Sequence, residues 1–168
     1  MASGSEAGPR NSMLRALELA RKSPPKPSNF RVGAILLRLD DGHVVAEGYT
    51  LECDGNTHAE ECCLIKLAER LSTTEEGLAD VIRAPHALVT TMEPCSKRLS
   101  GKLPCVDRVL RQKSWIRRVY VGVEEPAKFV GRNPGRGMLQ SAGIEVVHVP
   151  GLEKEILDVA TAGHGVDS

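Results

Sequence analysis

The stretch RVGAILLRL (31–39) limits the fold most, because the six residues from Val32 to Leu37 are apolar or small without a break. A strand with no polar face belongs in the middle of a sheet that is covered on both sides. The turn Asp40-Asp41-Gly42 and the run HVVAEGYT (43–50) follow it, which predicts a hairpin. Further strands are expected at HALVTTM (86–92), IRRVYVGV (116–123) and IEVVHV (144–149). Helical spacing or capping residues mark 11–23, 57–71, 106–114, 135–143 and 152–163. Segment 72–85 reads as a polar connection and 125–134 as a Gly/Pro-containing loop. This order predicts an α/β protein of three layers, with a mixed five-stranded sheet and helices on both faces. The later strands, joined through helices, should run parallel.

A chain of 168 residues fits one domain, expected over 11–163, with a disordered tail at 1–10 and a flexible tail at 164–168. Net charge is zero and aromatics make up 3%, so neither a general attraction to nucleic acid nor a stacking platform for single strands is expected. No apolar run is long enough to span a bilayer, and MASGSEAGPR does not resemble an export signal. A cytoplasmic, reducing location is therefore expected, and the five cysteines should be thiols or metal ligands.

The chemistry is concentrated in two stretches. NTHAEECCLIKLAER (56–70) opens a helix, and TMEPCSKRLSGKLPC (91–105) follows a strand and carries two Pro-Cys pairs. Taken singly, His58, Cys95 and Cys105 could be a core histidine and two inert thiols. Taken together they form a three-donor set with a fourth position open, the pattern of a catalytic zinc site with one zinc per chain. Such a zinc would lower the pKa of a bound water towards ~7. Glu60, two residues from His58, is the expected proton shuttle. Thr57 and Glu60 also have capping-box spacing. One carboxylate cannot serve both tasks equally, so Thr57 is expected to cap the helix and Glu60 to be catalytic.

His-x-Glu followed by Pro-Cys resembles the zinc deaminases that act on nucleobases and nucleosides. Their usual P-C-x-x-C is absent, and nine residues, SKRLSGKLP, separate Cys95 from Cys105. This longer loop resembles the deaminases of riboflavin biosynthesis. RALELAR (15–21), Asn29-x-x-Val32-Gly33, His58-Ala59-Glu60 and GIEV (143–146) match in order, so the resemblance spans about 12–150. It implies a cytidine deaminase-like fold and hydrolytic release of ammonia. Zinc hydroxide would attack the amino-bearing ring carbon, while Glu60 carries the proton to the ring nitrogen and then to the amine. The loop lacks the histidine that usually follows its first serine, and the deaminase is expected to stand apart from any reductase domain. Both features resemble the fungal-type enzyme, whose substrate is 2,5-diamino-6-ribitylamino-4(3H)-pyrimidinone 5′-phosphate. The alternatives are the ribosylamino compound, a nucleoside, nucleotide or tRNA substrate, and an inactive zinc-binding subunit. The resemblance also implies a homodimer acting on a small pyrimidine phosphate, with no nucleic acid or membrane partner.

For substrate contacts the resemblance points to Asn29, whose other reading is a turn residue after Pro27. Lys97, Arg98 and Lys102 lie between the two cysteines, where a basic loop would meet a phosphate; the competing reading is a solvated loop. Ser96 and Ser100 are possible donors to the same phosphate. Cys62 and Cys63 are expected to place at least one thiol in the core. His43, His86, His148 and His164 lie outside the motif.

Overall fold

A computed structural model describes residues 3–98, 100–124 and 134–164 of the chain. The elements are α1 (Ser3–Lys22), β1 (Gly33–Arg38), β2 (Val44–Tyr49), α2 (Ala59–Arg70), α3 (Leu78–Val81), β3 (His86–Met92), α4 (Cys105–Arg111), β4 (Ile116–Val123), α5 (Gly135–Ser141), β5 (Glu145–His148) and α6 (Glu153–Ala160). One five-stranded sheet runs β2-β1-β3-β4-β5. The β1–β2 hairpin and the β1–β3 pair are antiparallel, while β3–β4 and β4–β5 are parallel. The expected three-layer architecture is therefore present, with the apolar run of β1 near the middle of the sheet.

Alternation along β1 divides the core. Ala34 and Leu36 pack with Cys63, Leu64 and Leu67 of α2, Val106 and Val109 of α4, and Leu139 of α5. Ile35, on the opposite face, packs with Met13, Ala16 and Leu17 of α1 and Ile156 and Ala160 of α6. Both Cys62 and Cys63 are fully buried, so both of the paired thiols act as small core residues. His86 is also buried, packing edge-on to the Trp115 ring at 5.2 Å.

Two glycines let the helices approach the sheet closely. A Cβ on Gly33 would lie 1.8 Å from the Ala16 carbonyl oxygen of α1. A Cβ on Gly48 would lie 2.5 Å from the Ala59 carbonyl oxygen. The second contact seats the start of α2 directly on β2. Because β1 and β3 are antiparallel, the residues that enter β1 lie beside those that leave β3. The start of α2, the start of β1 and the end of β3 thus meet at one end of the strands.

Three expectations need correction. The helix α1 begins at Ser3, so segment 1–10 is not a disordered tail from end to end; adding a turn to a nucleated helix costs far less than starting one. Segment 72–85 contains α3, a single turn with Leu78 buried, too short to produce a readable period. His164, expected to open a flexible tail, is anchored: its Nε2 lies 2.7 Å from the Asn29 carbonyl oxygen and its ring 4.9 Å from that of Phe30. Residues 165–168, and 125–133 of the expected loop, lie outside the described residues. Among the described residues no helix is long and apolar enough to cross a membrane.

Candidate active site

His58 is the N-cap of α2, with φ −92° and ψ 160°. This extended conformation starts the helix one residue later than the Thr57–Glu60 spacing predicts. The Thr57 hydroxyl instead donates to the Cys53 carbonyl at 2.9 Å and closes the preceding loop. The His58 N–H donates to Glu61 Oε1 at 3.1 Å, so Glu61 takes the capping task and Glu60 is released from it.

Cys95 follows β3, and Cys105 is the first residue of α4. The His58 Nδ1 atom lies 3.6 Å from Cys95 Sγ and 3.5 Å from Cys105 Sγ. All three donor atoms lie within 4.8 Å of one another. A tetrahedral zinc with Zn–S of about 2.3 Å and Zn–N of about 2.0 Å sets its sulfur and nitrogen ligands about 3.5 Å apart. Both nitrogen–sulfur distances therefore already suit a tetrahedral zinc, and two thiols with an imidazole are donor types that zinc takes. The Cys105 N–H donates to Cys95 Sγ at 3.4 Å. Hydrogen bonding from Cys105, and then from His58, outweighs burial and holds the Cys95 thiol down at about 4. The same pairing and full burial push Cys105 up.

Glu60 is buried and lines a cavity of about 370 Å³ beside these donors. Burial raises its carboxyl to about 7, against the opposing pull of His58. A carboxyl poised near neutrality can both take up and release a proton there. The cavity volume suits one small ligand.

The expected substrate contacts separate into two groups. Asn29, Lys97 and Ser100 line the cavity. The Asn29 side-chain amide donates to Asn56 Oδ1 at 3.0 Å. Lys102 instead donates to the Asn56 carbonyl at 3.1 Å, and neither Lys102 nor the half-buried Ser96 is part of the lining. Arg98 borders the cavity but is turned inward. Its guanidinium donates to Glu61 Oε1 at 3.0 Å, the Leu103 carbonyl at 3.3 Å and the Asn56 carbonyl at 2.8 Å. Its remaining Nε is buried and unpartnered, so Arg98 has no exposed donor for a phosphate. The basic loop is thus partly an internal tie rather than wholly a phosphate cradle.

Sequence reasoning missed four residues. Asn56 links Asn29, Arg98 and Lys102, yet only its place two residues before His58 hinted at a role. Phe30 and His164 line the cavity from opposite ends of the chain, and no local pattern joins them. Glu61 was hidden by the capping-box spacing of its neighbour.

A three-layer α/β/α fold that holds one histidine and two cysteines beside a buried glutamate that lines a cavity is that of a zinc-binding deaminase. The cytidine and deoxycytidylate deaminase zinc-binding region matches residues 9–123, and the chain belongs to this family. The Rib2 deaminase of Aspergillus oryzae, a C-terminal deletion mutant, is 45% identical and superposes with a TM-score of 0.86, covering 94% of this chain and 92% of that one. The same enzyme in complex with DARIPP gives 44% identity and a TM-score of 0.85 over the same shares. The diaminohydroxyphosphoribosylamino-pyrimidine deaminase of Schizosaccharomyces pombe is 40% identical over 90% of this chain. The RibD riboflavin biosynthesis protein of Bacillus amyloliquefaciens is 35% identical over 80% of it. The chain spans about a third of the length of these two curated relatives, 35% and 31% respectively.

Proposed function

We propose that the chain hydrolytically deaminates 2,5-diamino-6-ribitylamino-4(3H)-pyrimidinone 5′-phosphate in riboflavin biosynthesis and releases ammonia. The observation that carries this reading is the 45% identity to Rib2 deaminase along nearly the whole of both chains. His58, Cys95 and Cys105 would hold the zinc, which when bound would act as a Lewis acid and bring the pKa of a water towards about 7. Glu60 takes one proton from the attacking water and passes it to the ring nitrogen; it then takes the second proton from the hydroxyl now on the ring carbon and delivers it to the amine, which departs as ammonia while the carbonyl forms. Its burial keeps bulk water from exchanging that proton before it is delivered. Asn29 orients the pyrimidine, and Lys97 and Ser100 bind the phosphate at the open side of the cavity. Arg98, Lys102 and Ser96 have no part in this contact set. The same reading gives a single deaminase domain that acts as a cytoplasmic homodimer, which sedimentation of the purified protein would check.

A second reading keeps the chemistry and takes the ribosylamino compound, before reduction of the ribose. The Schizosaccharomyces pombe relative, a diaminohydroxyphosphoribosylamino-pyrimidine deaminase, supports it. The test is ammonia release by zinc-loaded protein from the ribityl and ribosyl phosphates, with cytidine as control. Turnover of the ribityl compound alone is expected. Turnover of the ribosyl compound alone would reverse the order of deamination and reduction. Turnover of cytidine alone would overturn the riboflavin assignment.

A further inference from the structure

Glu61 adjoins the proposed proton carrier, yet it faces away from the cavity into a charged network. Its side chain is 6% exposed and meets three segments at once. Oε1 accepts the His58 N–H at 3.1 Å and Arg98 Nη1 at 3.0 Å. Oε2 accepts Arg108 Nη2 at 3.0 Å. Each partner belongs to a different part of the metal centre. His58 carries the nitrogen donor. Arg98 lies in the loop between Cys95 and Cys105. Arg108 is three residues beyond Cys105 on α4. The two guanidiniums also converge on the Leu103 carbonyl, just before Cys105, at 3.3 and 3.4 Å.

The nitrogen donor and the sulfur donors are 37 and 47 residues apart in sequence. No covalent feature sets the distance between those segments. We infer that Glu61 is the positioning residue of the zinc centre, one carboxylate that fixes the start of α2 against the cysteine loop and so sets the spacing of all three donors. Partners of this outer kind control ligand orientation and metal affinity. The inference rests on the zinc site of the proposed function and adds the residue that holds it in shape.

A purely structural network would lower stability without altering the metal. The test separates the two by measuring zinc affinity through chelator competition, together with the absorption spectrum of the cobalt-substituted protein. Wild-type protein should bind one zinc per chain; failure there would sink the metal site itself, whatever Glu61 does. Glu61→Gln keeps an acceptor for the His58 N–H but loses its charge. It should bind zinc about 10–100-fold more weakly and shift the cobalt d–d bands. Glu75→Gln serves as control, since Glu75 joins the network only through the far side of Arg108 and bonds neither the His58 N–H nor Arg98 of the cysteine loop. Its zinc affinity and cobalt spectrum should match wild type. Arg98→Lys keeps the charge but replaces a fork with a single ammonium, and should weaken zinc binding several-fold. Wild-type affinity and spectrum in Glu61→Gln would overturn the inference. If that variant does not fold, wild-type behaviour of Arg98→Lys overturns it instead.

Discussion

On one side of the cavity stand His58, Glu60 and Cys95, backed by Cys105 and the Glu61 network. On the other stand Asn29, Phe30, Lys97, Ser100 and His164. The first side is mostly buried, and its charged and sulfur groups face fixed partners within about a hydrogen bond's reach. The second is half-buried or exposed, and its lysine reaches towards water. On the proposed function, the difference follows from what each side must do. A proton carrier and a metal need dry, preorganised surroundings, in which each electrostatic contact counts for more. A phosphate must enter and leave, so its contacts stay wet.

The largest effect expected is on the buried side. Glu60→Gln should reduce kcat about 10²–10⁴-fold while zinc content stays at the wild-type level, measured by ammonia release and metal analysis. Near-normal turnover would break the division of labour between the two sides. Next is the strand both sides depend on. Gly33→Ala forces a methyl against the Ala16 carbonyl and should destabilise the protein by about 3 kcal/mol in urea unfolding. It should raise KM through Asn29 before it affects zinc, because Asn29 leads directly into β1.

A smaller effect is expected on the open side. Lys97→Ala should raise KM about tenfold for the phosphorylated substrate, as expected for one charged hydrogen bond, and leave kcat intact. The dephosphorylated compound should show no such change. An equal effect on both compounds would remove the phosphate from that side.

The smallest effect lies away from the cavity and gauges burial alone. Burial lowers the pKa of His86 below the usual histidine value, about 6.5. Above that value the residue is neutral both folded and unfolded, and contributes no pH dependence. As pH falls below it, the unfolded chain takes up a proton first. Stability is lost until pH passes through the lower folded value. The gap in unfolding free energy between wild type and His86→Gln should therefore shift against wild type from pH 7.5 to 5.5. The zinc site is common to both proteins and cancels in the comparison.

The buried side was legible in sequence because its residues are rare and lie at element boundaries. His58-x-Glu60 opens a helix, and two Pro-Cys pairs flank one loop. The same local reasoning misplaced the cap. Thr57 has the right spacing, but the extended backbone at His58 shifts the helix start and passes the task to Glu61. Arg98 shows a further limit. Its position in a basic loop suggests a phosphate, and only the fold reveals a buried carboxylate 37 residues away that claims it. The open side was mostly illegible, since Asn56, Phe30 and His164 acquire their places through long-range contacts.

The bond between His164 and Asn29 closes 135 residues of chain, whereas the donors of the metal site close at most 47. Loop-closure entropy makes the longer closure about 0.9 kcal/mol harder to form. On chain entropy alone, the three donors are the easier group to bring together, and the His164 part of the rim the harder. On gentle heating the rim is expected to open first, which substrate binding and zinc content followed together over a temperature series would show as affinity lost before metal.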